Sequence, residues 1–349
     1  MKQDRNHVIS AGYIRNWSVD DFVMCELVPE RKRRLLAPSQ VGVRKKFYAG
    51  SAKDDGTRTA EPAEHARGLV ETKALPLLRE LADHWPLQDT AQRAWVALWL
   101  AMTLCSSPHQ RGFIPRTVQR FFSSIERTDP MFAAITRRTR DEFAEPDFEL
   151  DSMFEEVSTV ASLMGQMHWA LLRFSRPELV SSDHPIDTVL WTSDGNRSAG
   201  APSGLVCDSC EIRIPIGPSA ALLLSWADRD DRVDPINARR HHVSAVNRGV
   251  WIRAERHRFW QPGQTPRGVD DSRPSARLSV ELFPDYDPKT CRRLDVALAW
   301  HTARLRAQQG GVEDRAVITA IMEHTSSGLV MTHQRHDGQH AAVFSDFQL

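Results

Sequence analysis

Residues 211–225, EIRIPIGPSAALLLS, contain two short apolar runs separated by a break. The runs at 212–216 and 221–225 are rich in residues that favour β-strands, and Gly217-Pro218 between them is a turn signal. This stretch predicts two strands of an antiparallel sheet. Similar runs elsewhere in the chain can join these two strands, so the stretch identifies a protein that contains a β-sheet.

Further strand-like runs occur at residues 22–28, 179–182, 188–191 and 249–252. Between about residues 63 and 175, by contrast, the apolar spacing is mainly helical. A helical block followed by a block of strands favours an α+β fold. We therefore expect a helical N-terminal half packed on an antiparallel sheet.

The most regular helical signal is a stripe of apolar residues spaced three and four apart. Its members are Leu150, Met153, Val157, Val160, Met164, Met167, Leu171 and Phe174. The stripe predicts one long core-facing helix, with a Met-rich ligand groove as the alternative. Other helices are predicted at 63–75, with a kink or a new start at Pro76, at 90–105 and at 115–128.

The chain divides by composition into three parts. We expect a core at residues 1–260, a linker or long loop at 261–280, and a C-terminal extension at 281–349. The linker segment, QPGQTPRGVDDSRPSARLSV, combines Pro, Gly and charge without periodicity. In the extension we expect two helices followed by a hairpin, at residues 288–309, 312–324 and 329–344.

Composition limits the partners of the protein. The 349 residues include 45 Lys+Arg and 45 Asp+Glu, so the formal net charge is zero and no global field attracts nucleic acid or acidic lipid. Residues 1–5 are polar, and the most apolar run, 94–105, is too short to span a membrane. Five scattered cysteines suit a reducing compartment. We expect a cytoplasmic protein that does not associate with membranes.

Several segments, in their order along the chain, resemble the bacterial domain-of-unknown-function 4238 family. They are YIRNW at 13–17 after His7, VGVRKKFY at 41–48, EHARGLVE at 64–71, SSPHQR at 106–111, SSDHPI at 181–186 and EIRIPIGPSAALLL at 211–224. The family opens with a His-His-x-x-Pro-x-x-Tyr-Leu-Arg-x-Phe-like motif and later has a Ser-Asp-x-Pro-like turn before a Pro-Leu-x-Pro strand.

The resemblance covers roughly residues 6–257 and departs from the family pattern at three places. Asn6 replaces the first histidine, Ser10 the motif proline, and Ser106-Ser107-Pro108 an Arg-Thr-Pro element. The family carries no established activity, so the resemblance implies a coherent fold and leaves the function open.

The polar residues of these motifs suggest one candidate site. Its proposed catalytic residues are His7, Glu71, Asp183 and His184, and its proposed ligand-binding residues are Tyr13, Arg15 and Lys73. Glu71 and Asp183 could hold Mg²⁺ or Mn²⁺, a histidine could move a proton, and Lys73 could stabilise negative charge. If the fold brings these segments together, they suit a metal-assisted hydrolase, for example a nuclease.

One detail weakens the comparison with nucleases. Glu71-Thr72-Lys73 resembles the Glu-x-Lys element of restriction-type nucleases, which lies on a strand, where alternate side chains share a face. Here the surroundings are helical, and residues two apart on a helix do not face each other.

The alternative is a non-catalytic module that binds a polar ligand, a nucleic acid or a partner protein. Each motif residue also has a structural interpretation: Asp183 caps a turn, His7 bonds a sheet edge, and Tyr13 pairs with Trp17 in the core, leaving Arg15 solvated. Basic runs at 31–34, 44–46 and 137–140, some flanked by aromatic residues, are compatible with phosphate binding. This alternative predicts carboxylates that face different ways and a pocket dominated by arginine and aromatic residues.

Other motifs are weaker. Cys207 and Cys210 supply half of a zinc site, but adjacent His241 and His242 are expected to point apart. Ser181-Ser182-Asp183-His184 lacks a Gly-x-Ser-x-Gly elbow, so a serine hydrolase is disfavoured. The chain has neither a P-loop nor a Gly-x-Gly-x-x-Gly motif, which disfavours nucleotide hydrolysis of the common kind.

Overall fold

The structure of the protein is a computed structural model. The structure describes residues 5–49, 60–111 except 84, 86, 88 and 89, 123, 146–191, 197–198, 205, 209–226, 234–269 and 277–282, together with short strands between 323 and 342. The α-helices within them, α1 to α7, are Ala11–Ile14, Glu61–Asp83, Thr90–Cys105, Pro108–Arg111, Pro146–Gln166, Arg240–Arg253 and Leu278–Leu282. Two 3-10 helices are Arg15–Trp17 and Pro38–Gln40.

The strands within the described residues, β1 to β16, are Arg5–His7, Val23–Leu27, Lys32–Leu36, Val43–Lys45, His168–Arg173, Ser181–Ser182, Asp187–Trp191, Arg197–Ser198, Cys210–Gly217, Ala220–Ser225, Ile236–Asn237, His257–Trp260, Glu323–Thr325, Gly328–Val330, Thr332–Gln334 and His340–Ala342.

The described part is a mixed α+β fold, and its larger sheet contains the predicted strands at 212–216 and 221–225. The strand order of this sheet is β11-β5-β10-β9-β7-β8. Strands β9 and β10 pair antiparallel, with Leu222 opposite Ile214. All neighbouring pairs are antiparallel except β11 with β5, which is parallel. The predicted strands are confirmed, and the sheet is mixed.

Strand β9 is buried along its whole length because helices cover the sheet. Glu211 and Arg213, two residues apart, share one face of the strand. Arg213 Nη1 donates to the carbonyl oxygen of Ala245 at 3.3 Å, so this face lies under α6. Ile212 and Ile214 lie on the opposite face, and both are fully buried. An ion pair is therefore placed in a strand that otherwise forms the core.

A second sheet, ordered β3-β2-β12-β6, joins distant parts of the chain. Phe259 of β12 lies opposite Cys25 of β2 on one side and Ser181 of β6 on the other. The N-terminal half is thus not purely helical, since residues 23–36 form half of this sheet. A separate ribbon pairs β1 with β4 and places His7 opposite Val43.

The helices of the N-terminal half pack around α3, which contacts both α2 and α5. Helix α2 carries a buried stripe with helical spacing: Ala63, Arg67, Val70, Ala74, Leu78 and Leu81. The new helix start predicted at Pro76 does not occur: α2 continues through this exposed proline to Asp83, with the proline inside the helix.

Two predicted elements are wrong. The apolar stripe does not form one helix to Phe174, because α5 ends at Gln166 and β5 follows at His168–Arg173. The predicted strand at 249–252 lies inside α6. There Gly249 packs on Asp187, whose Oδ2 would lie 1.9 Å from a Cβ at this position. Tertiary packing decides the structure at both places.

Most of the predicted C-terminal extension lies outside the described residues, as do nearly all of the predicted helix at 115–128 and the basic run at 137–140. In the described C-terminal strands, β13 pairs antiparallel with β14, and β15 with β16. Glu323 and His324, predicted to end a helix, belong to β13. No helix in the described part of the chain has the length and apolar character needed to cross a bilayer.

Candidate functional site

A cavity of about 590 Å³ lies beside the β1–β4 ribbon and is lined by Val43, Arg44, Lys45, Phe47 and Arg256. We call it the cationic cavity, because three of these five residues carry a positive charge and none is acidic. Clustered charges of one sign raise the local concentration of counter-ions. The lining therefore favours an anion.

Backbone constraints bring the lining residues together. Gly42, with a φ of +67°, begins the approach of β4 to β1; a Cβ there would lie 2.6 Å from Ile9 Cγ2. Its carbonyl oxygen accepts the Val8 N–H at 2.8 Å. Arg256 comes from the turn between α6 and β12, and its carbonyl oxygen accepts the Val28 N–H at 2.9 Å. Two segments far apart in sequence thus meet at one cavity.

Asp183 fixes the turn that carries Arg256. Its two carboxylate oxygens accept the backbone N–H groups of Glu255 and Arg256 at 3.0 and 2.9 Å. Burial raises the pKa of Asp183, against these two hydrogen bonds and the nearby Arg44 guanidinium. Asp183 therefore caps the turn at residues 255 and 256, which is distant in sequence from Asp183 itself.

Arg44 is held from three sides. Its Nη2 lies 2.7 Å from Glu255 Oε2 and 3.7 Å from Asp183 Oδ2. Its guanidinium also lies over the Phe47 ring, 5.5 Å from the centroid. A side chain positioned in this way loses less conformational entropy when it meets a ligand.

His257 lies close to the same cations. Burial, together with the positive charges of Arg256 and Arg44, lowers the pKa of His257 to about 4. The imidazole is therefore neutral at pH 7.

The predicted residues His7, Arg15 and Lys73 lie on three different elements: β1, the first 3-10 helix and α2. His7 lies opposite Val43 of the cavity, and its Nε2 contacts the carbonyl oxygen of Ser39 at 3.2 Å. Arg15 and Lys73 are exposed, Arg15 at the start of a 3-10 helix and Lys73 on α2. Of these three residues, His7 is the one that strand pairing brings next to a cavity residue.

Tyr13 lies in the aromatic core. It is 0% exposed, and its hydroxyl contacts Ser181 Oγ at 2.9 Å and donates to the carbonyl oxygen of Pro215 at 2.5 Å. Its ring packs on Trp17 with a centroid distance of 4.9 Å. A ligand-binding role for Tyr13 would require this core to open. His184, the next residue after Asp183, is also buried, and its N–H donates to Ser182 Oγ at 3.0 Å.

Glu71 belongs to a separate polar group, the Arg67 cluster. Its members are Asn6, Ser10, Tyr48, Glu64, Arg67, Glu71 and Ser106. Arg67 donates to Tyr48 Oη, to Ser106 Oγ at 2.8 Å and to Glu71 Oε1 at 3.3 Å. Burial raises the pKa of Tyr48, against the charge of Arg67.

The motif departures take part in this cluster. Ser10 Oγ donates to Glu71 Oε2 at 2.9 Å, and Asn6 Nδ2 donates to Glu64 Oε1 at 2.9 Å. The sequence interpretation missed Arg67, although its position in the apolar stripe of α2 was a signal for a buried charge. Glu71 and Asp183 thus have different sets of partners.

Among the described residues, the group with three possible metal-ligand atoms within 4.8 Å of one another is His241, His242 and Glu281. The expectation that the adjacent histidines point apart is wrong: their Nε2 atoms lie 2.7 and 3.1 Å from Glu281. His242 Nδ1 accepts the Arg239 N–H at 3.0 Å, so Nε2 of neutral His242 carries the proton. A metal bound at Nε2 would require this proton to move to Nδ1, which could then no longer accept the Arg239 N–H. Cys207 lies outside the described residues.

Comparison with known protein families finds a match. A family model described as Protein of unknown function (DUF4238) matches residues 5–259. No curated protein and no solved structure matches the chain. The cationic cavity and the Arg67 cluster lie within the matched range, whereas Glu281 lies beyond it.

Proposed function

The chain belongs to the DUF4238 family, and we propose that its family domain binds an anionic ligand in the cationic cavity. The observation that carries this proposal is the lining itself, in which Arg44, Lys45 and Arg256 surround about 590 Å³ without an acidic neighbour in the lining. Guanidinium groups bind phosphate and carboxylate oxygens in bidentate geometry. A ligand bearing a phosphate or carboxylate therefore fits best.

Two features of the site support binding over catalysis. Arg44 is positioned before the ligand arrives, by Asp183 and Glu255. Asp183, in turn, uses both carboxylate oxygens to bond backbone amides. Both are properties of a preorganised binding site. The formal net charge of zero gives no general support to nucleic acid as the ligand.

The metal-assisted hydrolase remains the competing prediction. It requires Glu71 to leave Ser10 and Arg67, and Asp183 to leave the amides of residues 255 and 256, before both could hold one Mg²⁺ or Mn²⁺ ion. Titration calorimetry with Mn²⁺ separates the two proposals. Stoichiometric binding that disappears in Asp183→Asn would favour the hydrolase.

The direct test measures binding of three probes: inorganic phosphate, adenosine monophosphate and a short single-stranded oligonucleotide. We expect the protein to bind a phosphate-bearing probe, and Arg256→Gln to weaken binding by about tenfold, or ~1.4 kcal/mol. The matched control is Arg79→Gln, an exposed arginine on α2 that does not line the cavity. Equal affinity of the Arg256→Gln variant and the unmodified protein would rule out this cavity as the site.

The proposal also includes the chain organisation and the location. We propose that residues 1–260 form the family domain and 281–349 an extension, which is supported by the end of the match at residue 259. A cytoplasmic location is supported by Cys25 and Cys105, which are buried thiols outside any disulfide.

A further inference from the structure

A short segment beyond the family match returns to the family domain. Residues 277–282, which we call the clasp, include the five-residue helix α7 and are separated from the matched range by the seventeen residues 260–276. A helix this short is not stable alone in water. Its conformation is therefore imposed by the surface on which it lies, and that surface has specific contacts.

The first contact is made by Glu211 on β9. Its Oε1 accepts the backbone N–H of Ser279 at 2.7 Å and the Ser279 hydroxyl at 2.6 Å, and its Oε2 accepts the N–H of Leu278 at 3.3 Å. Two consecutive amides and a hydroxyl on one carboxylate fix both the direction and the register of the segment. The two amide bonds can form with any residues at positions 278 and 279, whereas the third bond requires the hydroxyl group of Ser279.

The second contact holds the other end of the clasp. Glu281 lies 2.7 Å from His241 Nε2 and 3.1 Å from His242 Nε2 on α6. The leucines on either side of these polar residues, Leu278 before Ser279 and Leu282 after Glu281, are buried in the core cluster. We call the surface formed by Glu211, Arg213, His241 and His242 the groove. Its contacts match the side chains of the sequence Leu-Ser-x-Glu-Leu at positions 278–282.

The groove stays electrostatically satisfied without the clasp. Arg213 Nη2 and Nε lie 2.6 and 3.2 Å from Glu211 Oε2, so Glu211 keeps a buried partner if the clasp leaves. An ion pair that keeps its partner avoids the large penalty of an isolated buried charge. Arg267 is fixed to the domain by Asn247 Nδ2 at 2.9 Å and by Glu178 Oε1 at 2.6 Å. The seven residues 270–276 join this anchored segment to the clasp, and a connection of this length allows the six-residue clasp to leave its contacts without unfolding the domain.

We propose that the groove is a recognition site for a short Leu-Ser-x-Glu-Leu segment, and that the clasp occupies it reversibly within the same chain. The inference is independent of the cationic cavity. Detachment exposes Glu211 and the two leucine positions, so the groove becomes accessible to a peptide of the same pattern.

Hydrogen exchange of the full chain tests reversibility. The reporters are the amides of Leu278 and Ser279, and Ile214 in β9 reports global unfolding. We expect the clasp amides to exchange through a local opening that is nearly independent of denaturant, whereas Ile214 exchanges through global unfolding. Exchange of all three amides with the same denaturant dependence would make the clasp a permanent part of the core and overturn the proposal.

A binding experiment tests recognition. A fluorescent peptide of residues 275–284 is added to the full-length chain and to the full-length Ser279→Ala, Glu281→Gln double variant, in which the clasp is weakened and the groove unchanged. We expect about tenfold tighter binding to the double variant, because its groove is less occupied. The matched control is the same peptide with both substitutions, which should bind poorly.

Two outcomes would overturn the recognition proposal. One is the absence of peptide binding to a double variant that remains folded. The other is stoichiometric Zn²⁺ binding by the unmodified chain that is lost in Glu281→Gln, which would assign His241, His242 and Glu281 to a metal site.

Discussion

The Arg67 cluster and the cationic cavity both place arginine next to carboxylates, but they use the guanidinium group differently. Arg67 is 4% exposed and bonds Tyr48, Ser106, Val8 and Glu71. Arg44 pairs with Glu255 and Asp183 while lining a cavity with two other cations. In the first region the donors hold the protein together, whereas in the second the charge exceeds what the local acids neutralise.

This contrast indicates which of the two regions to test for ligand binding. Glu71 bonds Arg67, Ser10 bonds Glu71, and Asn6 bonds Glu64, so these motif residues belong to one polar network around a buried arginine. The cationic cavity draws mainly on β4 and on a single arginine after α6. We therefore expect substitutions in the Arg67 cluster to change the free energy of unfolding, and substitutions in the cationic cavity to change ligand binding.

The largest expected effect is on the Arg67 cluster. Arg67→Met removes the buried cation and leaves Glu71, Ser106 and Tyr48 without their shared donor. We expect the free energy of unfolding, measured by urea denaturation, to fall by about 3–5 kcal/mol. Arg79→Met, an exposed control on the same helix, should change it by less than about 0.5 kcal/mol.

A milder substitution keeps this prediction testable if Arg67→Met does not fold. Tyr48→Phe removes one acceptor of Arg67 and retains the ring beneath the guanidinium, whose centroid lies 4.9 Å from Cζ. The expected loss is about 1–2 kcal/mol. If both variants were as stable as the unmodified protein, the two regions would not differ as the comparison states.

Asp183 should give an intermediate effect. In Asp183→Asn an amide group replaces one of two oxygens that accept backbone N–H groups, so one buried N–H loses its acceptor. We expect a loss of about 2 kcal/mol in the free energy of unfolding. The control, Glu255→Gln, removes the partly exposed partner of Arg44 and should cost less than about 1 kcal/mol.

The same variant separates the two proposed functions. A structural Asp183 implies that any loss of ligand binding is accompanied by loss of stability, because the turn bearing Arg256 loosens. Loss of activity with unchanged unfolding would instead support the hydrolase prediction.

The sequence predicted much of the large sheet, because its strands are short, rich in β-formers and bounded by turns, as at Gly217-Pro218. It failed where tertiary contacts override local preference. Residues 168–173 continue a helical apolar stripe, yet they are buried in β5. Residues 249–252 resemble a strand, yet Gly249 and Arg253, four apart on α6, both meet Asp187, the arginine at 2.8 Å.

The candidate site was predicted only in part. Residues 44–46 and Phe47 were recognised as a basic and aromatic segment, and the cavity contains Arg44, Lys45 and Phe47. Arg256 was missed because it has no local motif and reaches the cavity only through the turn that Asp183 holds. Asp183 was identified by its motif, but its partners lie more than seventy residues away, which no local pattern reveals.

The smallest effect concerns pH and His257. Its folded-state pKa of about 4 lies below the ordinary value of 6.5, so the unfolded chain takes up this proton first as pH falls. The associated stability is present above pH 6.5 and is lost as pH falls towards 4. Between pH 7 and 5 we expect a loss of about 1 kcal/mol, after a discount for partial exposure.

Comparison of the unmodified protein with His257→Asn isolates this contribution. The raised pKa of Asp183 acts in the opposite direction, but it is common to both proteins and cancels in the difference between their urea midpoints. An identical pH dependence of the two proteins would contradict the prediction. A bound anion should offset the charges of Arg44 and Arg256, raise the pKa of His257 and reduce the difference. The pH dependence thus reports occupancy of the cationic cavity, whereas Arg67, the one cation of the Arg67 cluster, is buried and offers no comparable response.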